Sequence, residues 1–174
     1  MSDSEKLETA AVLTVSDRAS RGDLQDRAGP AVVALLRDAG FNVVSLSVLP
    51  DDLDQISAWL CECADGDGVA LAVTAGGTGL APCDCTPQAT AAVLDYRIEG
   101  LTEAMRAVSV TKVPTAMLSR ALAGVRGRTL ILNLPGSERG ATENLEVVLP
   151  VLPHALAQLR EAEQDHPPSG THLS

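Results

Sequence analysis

The segment that most limits what this chain can fold into is residues 68–87. It opens with the apolar run Gly68-Val69-Ala70-Leu71-Ala72-Val73, bounded by turn residues, which reads as a strand buried on both faces. The run passes directly into Thr74-Ala75-Gly76-Gly77-Thr78-Gly79, then Leu80-Ala81-Pro82-Cys83-Asp84-Cys85-Thr86-Pro87. Glycines lack Cβ, so at the carboxyl end of a strand their backbone N–H groups can approach a ligand closely. Asp84 adds a carboxylate just before Thr86-Pro87, an N-cap followed by a first helical position. A strand, a glycine loop, a carboxylate and a helix start outline a phosphate and metal site. The plainer alternative is a tight strand-to-helix turn with no ligand.

The rest of the chain repeats this alternation. Residues 10–16 form a first strand, a polar turn follows through Asp17 and Gly22, and a helix over 28–39 ends at Gly40. A second strand over 41–49 closes at Pro50. Asp51 or Asp52 then begins a helix whose Leu53, Ile56, Trp59 and Leu60 recur at helical spacing. Helices over 87–94 and 101–108 follow, then a strand over 128–134 that enters the turn Pro135-Gly136-Ser137, and a long helix over 143–159. Strands alternating with helices imply right-handed βαβ crossovers: a three-layer α/β/α sandwich with a mainly parallel sheet. Ligands of such sheets bind beyond the carboxyl ends of the strands. Three turns fit that edge, at 16–22, 76–84 and 135–137. The domain spans 10–160, with a disordered tail at 1–9 and a flexible one at 161–174.

Composition narrows the function. Aromatic residues are only 2% of a chain that is 45% hydrophobic, so Val, Leu, Ile and Ala must fill the core, as they do where helices pack on a parallel sheet. A net charge of −10 repels a polyanion and argues against non-specific nucleic-acid binding. No apolar run approaches the ~18 residues that span a bilayer, so no membrane is expected and the location expected is the cytoplasm. The four cysteines fall as Cys61/Cys63 and Cys83/Cys85, a spacing too tight for structural zinc, and reduced thiols are expected. Oxidation or alkylation at Cys83 or Cys85 would fall beside the site.

Asp51 and Asp84 each follow a strand, so both face one sheet edge, where two carboxylates beside glycine amides suit Mg²⁺ shared with substrate phosphates. Helix capping is the competing role for each. Asn133-Leu134-Pro135-Gly136-Ser137 makes a second strand-to-helix turn for an anion, with Ser137 equally able to cap. Ser119-Arg120 and residues 126–128 bring positive charge, and Ser16, Asp17 and Arg18 can join the rim. No nucleophile stands out: His166 and His172 lie in the tail, and His154 sits in a helix that packs on the sheet and reads as structural. Chemistry done by positioning phosphates around a metal needs no protein nucleophile.

Residues 74–90, with Leu118-Ser119-Arg120, Gly124-Val125-Arg126-Gly127, residues 130–137 and Leu149-Pro150-Val151-Leu152-Pro153-His154-Ala155, resemble the Mog/MoaB family of molybdopterin adenylyltransferases, related to the gephyrin G domain. The resemblance covers about residues 11–160. It implies a homotrimer in which the terminal phosphate of molybdopterin attacks the α-phosphorus of ATP, giving adenylyl-molybdopterin and pyrophosphate. A molybdenum-insertion protein is the implied recipient. Carried onto this chain, Asp51 and Asp84 would serve as catalytic, Mg²⁺-binding carboxylates. Thr74, Gly76, Gly77, Thr78 and Gly79 would cradle phosphate, and Ser119, Pro135, Gly136 and Ser137 would line the remainder.

Three positions depart from the family pattern: Gln88 where an acidic residue is common, Cys83 where an Arg is frequent, and Arg139 where a Lys is frequent. Arg139 keeps the charge; the other two lose a carboxylate and a cation. They support an alternative, a molybdopterin-binding member without transferase activity. The related competence-damage family is disfavoured because its loop resembles Gly-Gly-Leu-Gly-Pro-Thr, whereas this chain has Gly-Gly-Thr-Gly-Leu-Ala-Pro.

Overall fold

A computed structural model describes residues 7–66 and 68–165. Its elements in chain order are β1 (Thr9–Val15), α1 (Asp17–Ser20), α2 (Ala28–Asp38), β2 (Asn42–Leu49), α3 (Leu53–Cys61), β3 (Leu71–Ala75), α4 (Thr86–Val93), β4 (Tyr96–Arg97), α5 (Glu99–Lys112), β5 (Ala123–Arg126), β6 (Thr129–Leu134), α6 (Glu138–Val148) and α7 (Leu152–Asp165). The six strands form one sheet in the order β2-β1-β3-β6-β5-β4. The four strands from β2 to β6 run parallel, while β5 is antiparallel to both β6 and β4.

Period-two alternation explains the layers. Along β1, Ala10 and Val12 enter a core beneath α2, α5, α6 and α7, whereas Ala11, Leu13 and Val15 enter a second core beneath α3 and α4. The central strands β1, β3 and β6 are buried on both faces because both faces are covered there, whereas the edge strand β2 leaves Val44, Leu46 and Val48 exposed. The expected three-layer sandwich and mainly parallel sheet are therefore present.

Four local expectations change. Strands β4 and β5 are too short and too exposed at Tyr96 to show a pattern, and they make the sheet mixed. The polar turn after β1 holds one helical turn, α1, capped by the Ser16 hydroxyl, which accepts from Ala19 N–H at 3.2 Å. The long C-terminal helix is broken at Leu149–Val151, where Pro150 lacks an N–H, and α6 begins at Glu138 rather than 143. His154, read as structural, is exposed on α7, and that helix continues through Asp165, past the expected boundary at 160. Residues 1–6 and 166–174 of the expected tails lie outside the described residues. Among the described residues no helix is long and apolar enough to cross a membrane.

Candidate active site

The carboxyl ends of β1, β2, β3 and β6 lie side by side, so the four turns that follow them share one edge of the sheet. Gly76 and Gly77 carry the chain out of β3 with φ of +113° and +63°. Gly76 lies so close to β1 that a Cβ there would sit 2.2 Å from the Val15 carbonyl oxygen. Its N–H donates to the Leu134 carbonyl at 3.1 Å, and a Cβ on Gly136 would lie 3.2 Å from the Gly76 Cα. The glycines are here because three chain segments meet with no room for a side chain.

The two carboxylates differ in their surroundings. Asp52, not Asp51, caps α3: its Oδ1 accepts from Gln55 N–H at 2.9 Å. Asp51 is thereby released from capping, and its own N–H donates to Asp17 Oδ1 at 3.0 Å. Asp51 Oδ1 is buried without a hydrogen-bond partner among the described residues, and so is Thr86 Oγ1. Both oxygens face the bare side of Gly77, where a Cβ would come within 2.7 Å of the first and 2.3 Å of the second. Thr86 does not fill the capping role expected of it; Cys85 stands at the N-cap and Thr86 is the first residue of α4. Burial pushes the Asp51 carboxyl above its ordinary pKa, and the nearby Asp17 and Asp84 charges add to that, partly offset by a hydrogen bond from the Asp17 backbone. Asp84 is more committed, since its Oδ2 accepts from Ala81 N–H at 3.0 Å within its own loop.

A buried hydroxyl without a partner costs about 1–3 kcal/mol. Thr86→Val, which keeps the shape of a fully buried side chain, is therefore expected to raise Tm, by roughly 2–4 °C per kcal/mol recovered. Calorimetry would decide; a lowered Tm would mean that the hydroxyl has a structural task.

Two clefts flank the glycine loop, one of about 470 Å³ and one of about 500 Å³. Thr78, Gly79, Ser119, Pro135 and Ser137 line the first. Asp51, Asp84, Gly76, Gly77 and Gly136 line the second. Neighbouring residues of a single turn, such as Gly77 and Thr78 or Gly136 and Ser137, open into different clefts, so each loop is a shared wall. Ser137 also caps α6, accepting from Gly140 N–H at 3.1 Å. One expected site residue is corrected: Thr74 lines neither cleft. It is fully buried in β3, and its hydroxyl accepts from the Asn133 amide at 2.9 Å.

Sequence reasoning missed other residues. Arg106, Ser109 and Asn144, from α5 and α6, line the first cleft, and Asp26 just before α2 lines the second. The one available signal was Asn144, a polar residue inside an apolar stripe; its amide donates to Ser109 Oγ at 3.0 Å. Arg106 and Arg139 give the first cleft local positive charge within an acidic chain, although Arg139 is also paired with Glu143 at 2.9 Å. Cys83 and Gln88 are exposed and line neither cleft. Cys61, Cys83 and Cys85 are free thiols.

Among the described residues, no three or more His, Cys, Asp or Glu side chains gather closely enough to hold a metal by themselves. The carboxylates of Asp51 and Asp84, which both line the second cleft, nevertheless fit Mg²⁺, which takes one or two carboxylates and completes its shell with water and substrate phosphates. The orphaned Asp51 Oδ1, an acceptor with no donor, is the feature that such an ion would satisfy.

A mixed α/β sandwich with paired clefts, a glycine loop and carboxylates on the carboxyl edge of its sheet has the layout of an α/β domain that binds ligands at that edge. The chain belongs to the family described as "probable molybdopterin binding domain", whose model matches residues 11–154. It is 42% identical over 139 residues to molybdopterin adenylyltransferase of Escherichia coli strain K12, covering 79% of this chain and 71% of the relative. The corresponding Helicobacter pylori protein is 40% identical over 147 residues, covering 83% and 84%. Gephyrin of Dictyostelium discoideum is also 40% identical, but the chain spans only 21% of its length. Among solved structures, the molybdopterin biosynthesis enzyme MoaB from Thermus thermophilus superposes with a TM-score of 0.85 at 50% identity, over 89% of this chain and 98% of that one. The CinA protein of Thermoplasma acidophilum, at 18% identity and a TM-score of 0.64, shares the fold alone.

Proposed function

We propose that this chain is a molybdopterin adenylyltransferase of molybdenum cofactor biosynthesis, transferring AMP from ATP to the terminal phosphate of molybdopterin. The carrying observation is the pair of clefts lined by adjacent residues of the same two turns. A reaction between two substrates needs a place for each and a line where their phosphates meet. Residues 76–79 and 135–137 form that line.

A terminal phosphate oxygen of molybdopterin attacks the α-phosphorus of ATP; the bond from that phosphorus to the α,β-bridging oxygen breaks, and pyrophosphate leaves with the electron pair. The attacking phosphate is already anionic, so no protein nucleophile is required. The chain's contribution is positioning and charge compensation. The glycine loop presents N–H groups, while Arg106 and Arg139 offset negative charge on the side of the first cleft. Asp51 and Asp84 would hold Mg²⁺ against the phosphates. When bound, that ion supplies compensation of the triphosphate charge and polarises the reacting phosphoryl group.

The experiment is to incubate the chain with ATP, Mg²⁺ and molybdopterin and to measure pyrophosphate and adenylyl-molybdopterin. Turnover is expected. A chain that binds molybdopterin yet releases no pyrophosphate would support the carrier alternative, but Gln88 and Cys83, whose loss of charge motivated it, stand outside both clefts. Asp84→Asn is expected to lower turnover by about 10²-fold and to leave the fold intact, because an amide oxygen can still accept from Ala81 N–H. Wild-type turnover in that variant would reduce Asp84 to a loop-shaping residue. In this reading the chain works in the cytoplasm as a homotrimer and passes its product to a molybdenum-insertion protein. Light scattering should then give roughly three times the chain mass.

A further inference from the structure

The loop from β3 to α4 carries Thr78, Gly79 and Leu80 to one cleft and Asp84 to the other, yet residues 78–85 contain no helix or strand. A cation holds it in shape. Arg120, in the segment before β5, donates from Nε to the Gly79 carbonyl at 2.7 Å and from Nη2 to the Asp84 carbonyl at 2.7 Å. Its backbone N–H donates to the Thr78 carbonyl at 3.0 Å. One residue therefore grips the loop at both ends. These are short, charge-assisted bonds on a half-buried group, and the planar fork of a guanidinium can serve two carbonyls at once where an ammonium offers a point charge.

The base of Arg120 is itself tied to the sheet. Leu122 N–H donates to Asn133 Oδ1 at 3.1 Å, and the Asn133 amide donates to the hydroxyls of Thr74 and Thr90, each at 2.9 Å. The loop is thus referenced to β3, β6 and α4 through a buried polar network. Two consequences follow for the clefts. Carbonyl and N–H point opposite ways across a trans peptide, so turning the Gly79 carbonyl toward Arg120 turns the Leu80 N–H away from it. Asp84 is held by its carbonyl on Arg120, by its N–H on the Ala81 carbonyl at 2.9 Å and by Oδ2 on Ala81 N–H.

We infer that Arg120 is a positioning residue of the transferase: it lines neither cleft, and it sets the loop so that Asp84 and the Leu80 amide meet the phosphates in one arrangement. The inference rests on the adenylyltransferase reading. It extends that reading to a residue that does not touch substrate.

The test measures kcat and KM for ATP and molybdopterin in wild type, Arg120→Ala and Arg120→Lys, with ethylguanidinium or ethylammonium added. A misplacement of about 1 Å costs on the order of 10²-fold. Arg120→Ala is therefore expected to lose about 10²-fold in kcat, with both KM values within roughly threefold of wild type. Ethylguanidinium should restore several-fold activity and ethylammonium should not. Arg120→Lys, which keeps the charge and most of the stem, should stay folded and remain at least tenfold impaired; it decides the matter if the alanine variant fails to fold. Turnover of either variant within about twofold of wild type would overturn the inference, as would a loss in the alanine variant that ethylguanidinium leaves untouched. A wild-type chain without turnover would instead strike the adenylyltransferase reading, and the inference with it.

Discussion

Gly76→Ala is expected to destabilise the chain by more than about 3 kcal/mol, lowering Tm by roughly 6–12 °C. Two costs combine. At φ of +113° an L side chain is strained wherever it points. The new Cβ would also meet the Val15 carbonyl oxygen at 2.2 Å and its carbon at 3.2 Å. That obstacle is backbone, and it cannot rotate away as a side chain could. Val15 is fixed in β1, a strand paired on both sides by β2 and β3. Gly22→Ala is the control: its φ is +80°, but nothing lies within 4 Å of the new Cβ, so only the strain of about 1–2 kcal/mol applies. Denaturant unfolding of both variants measures the difference. A Gly76→Ala protein no less stable than the control would mean that the loop relaxes and that the close approach is not needed.

Asp51→Asn is expected to lower turnover by about 10³-fold while raising thermal stability. The charge it removes is held in a setting that resists it: burial first, then the neighbouring Asp17 carboxylate, with Asp84 a smaller contributor. Because the folded pKa is raised, the native state holds the proton more tightly than the unfolded chain does. The ionised form therefore detracts from stability at neutral pH. That deficit is recovered as pH falls through the folded pKa toward the unfolded value near 3.8. Asparagine should lift neutral-pH stability toward that limit and remove this part of the pH dependence. Turnover requires the charged form, which Mg²⁺ bound at this carboxylate would favour, so raising Mg²⁺ should move any acid limb of kcat/KM to lower pH. Turnover within about tenfold of wild type in Asp51→Asn would remove Asp51 from the catalytic role.

A site whose orphaned groups lower stability is the expected pattern where function and folding compete for the same residues. The unpaired oxygens of Asp51 and Thr86 have no task that serves folding alone, whereas the Thr74–Asn133–Thr90 network, equally buried and polar, is fully paired. The glycine-loop motif contains both kinds of residue. Thr74 belongs to the sheet, and the residues from Gly76 onward belong to the clefts.

Much of this was legible from the chain alone because the signals were local. Apolar runs of strand length, helical stripes and turn residues define the sandwich, and strand ends followed by Asp51, by Gly76 and Gly77, and by Pro135 place candidate groups on one edge. What required tertiary structure were choices between neighbours and contacts across long separations. Sequence left Asp51 and Asp52 as alternative caps; the choice was made by Asp17, 34 positions away, which accepts the Asp51 N–H. The short β4 and β5 have no periodicity of their own and exist because β6 offers an edge for pairing. Arg120, one arginine among several by its sequence, becomes the clamp of the loop only when its segment is laid under residues 79–84, 36 to 41 positions distant. Periodicity and turn chemistry act between residues close in the chain, and so a sequence displays them. Which carboxylate is left uncommitted and which cation is put to use depends on groups that only the packed sheet brings together.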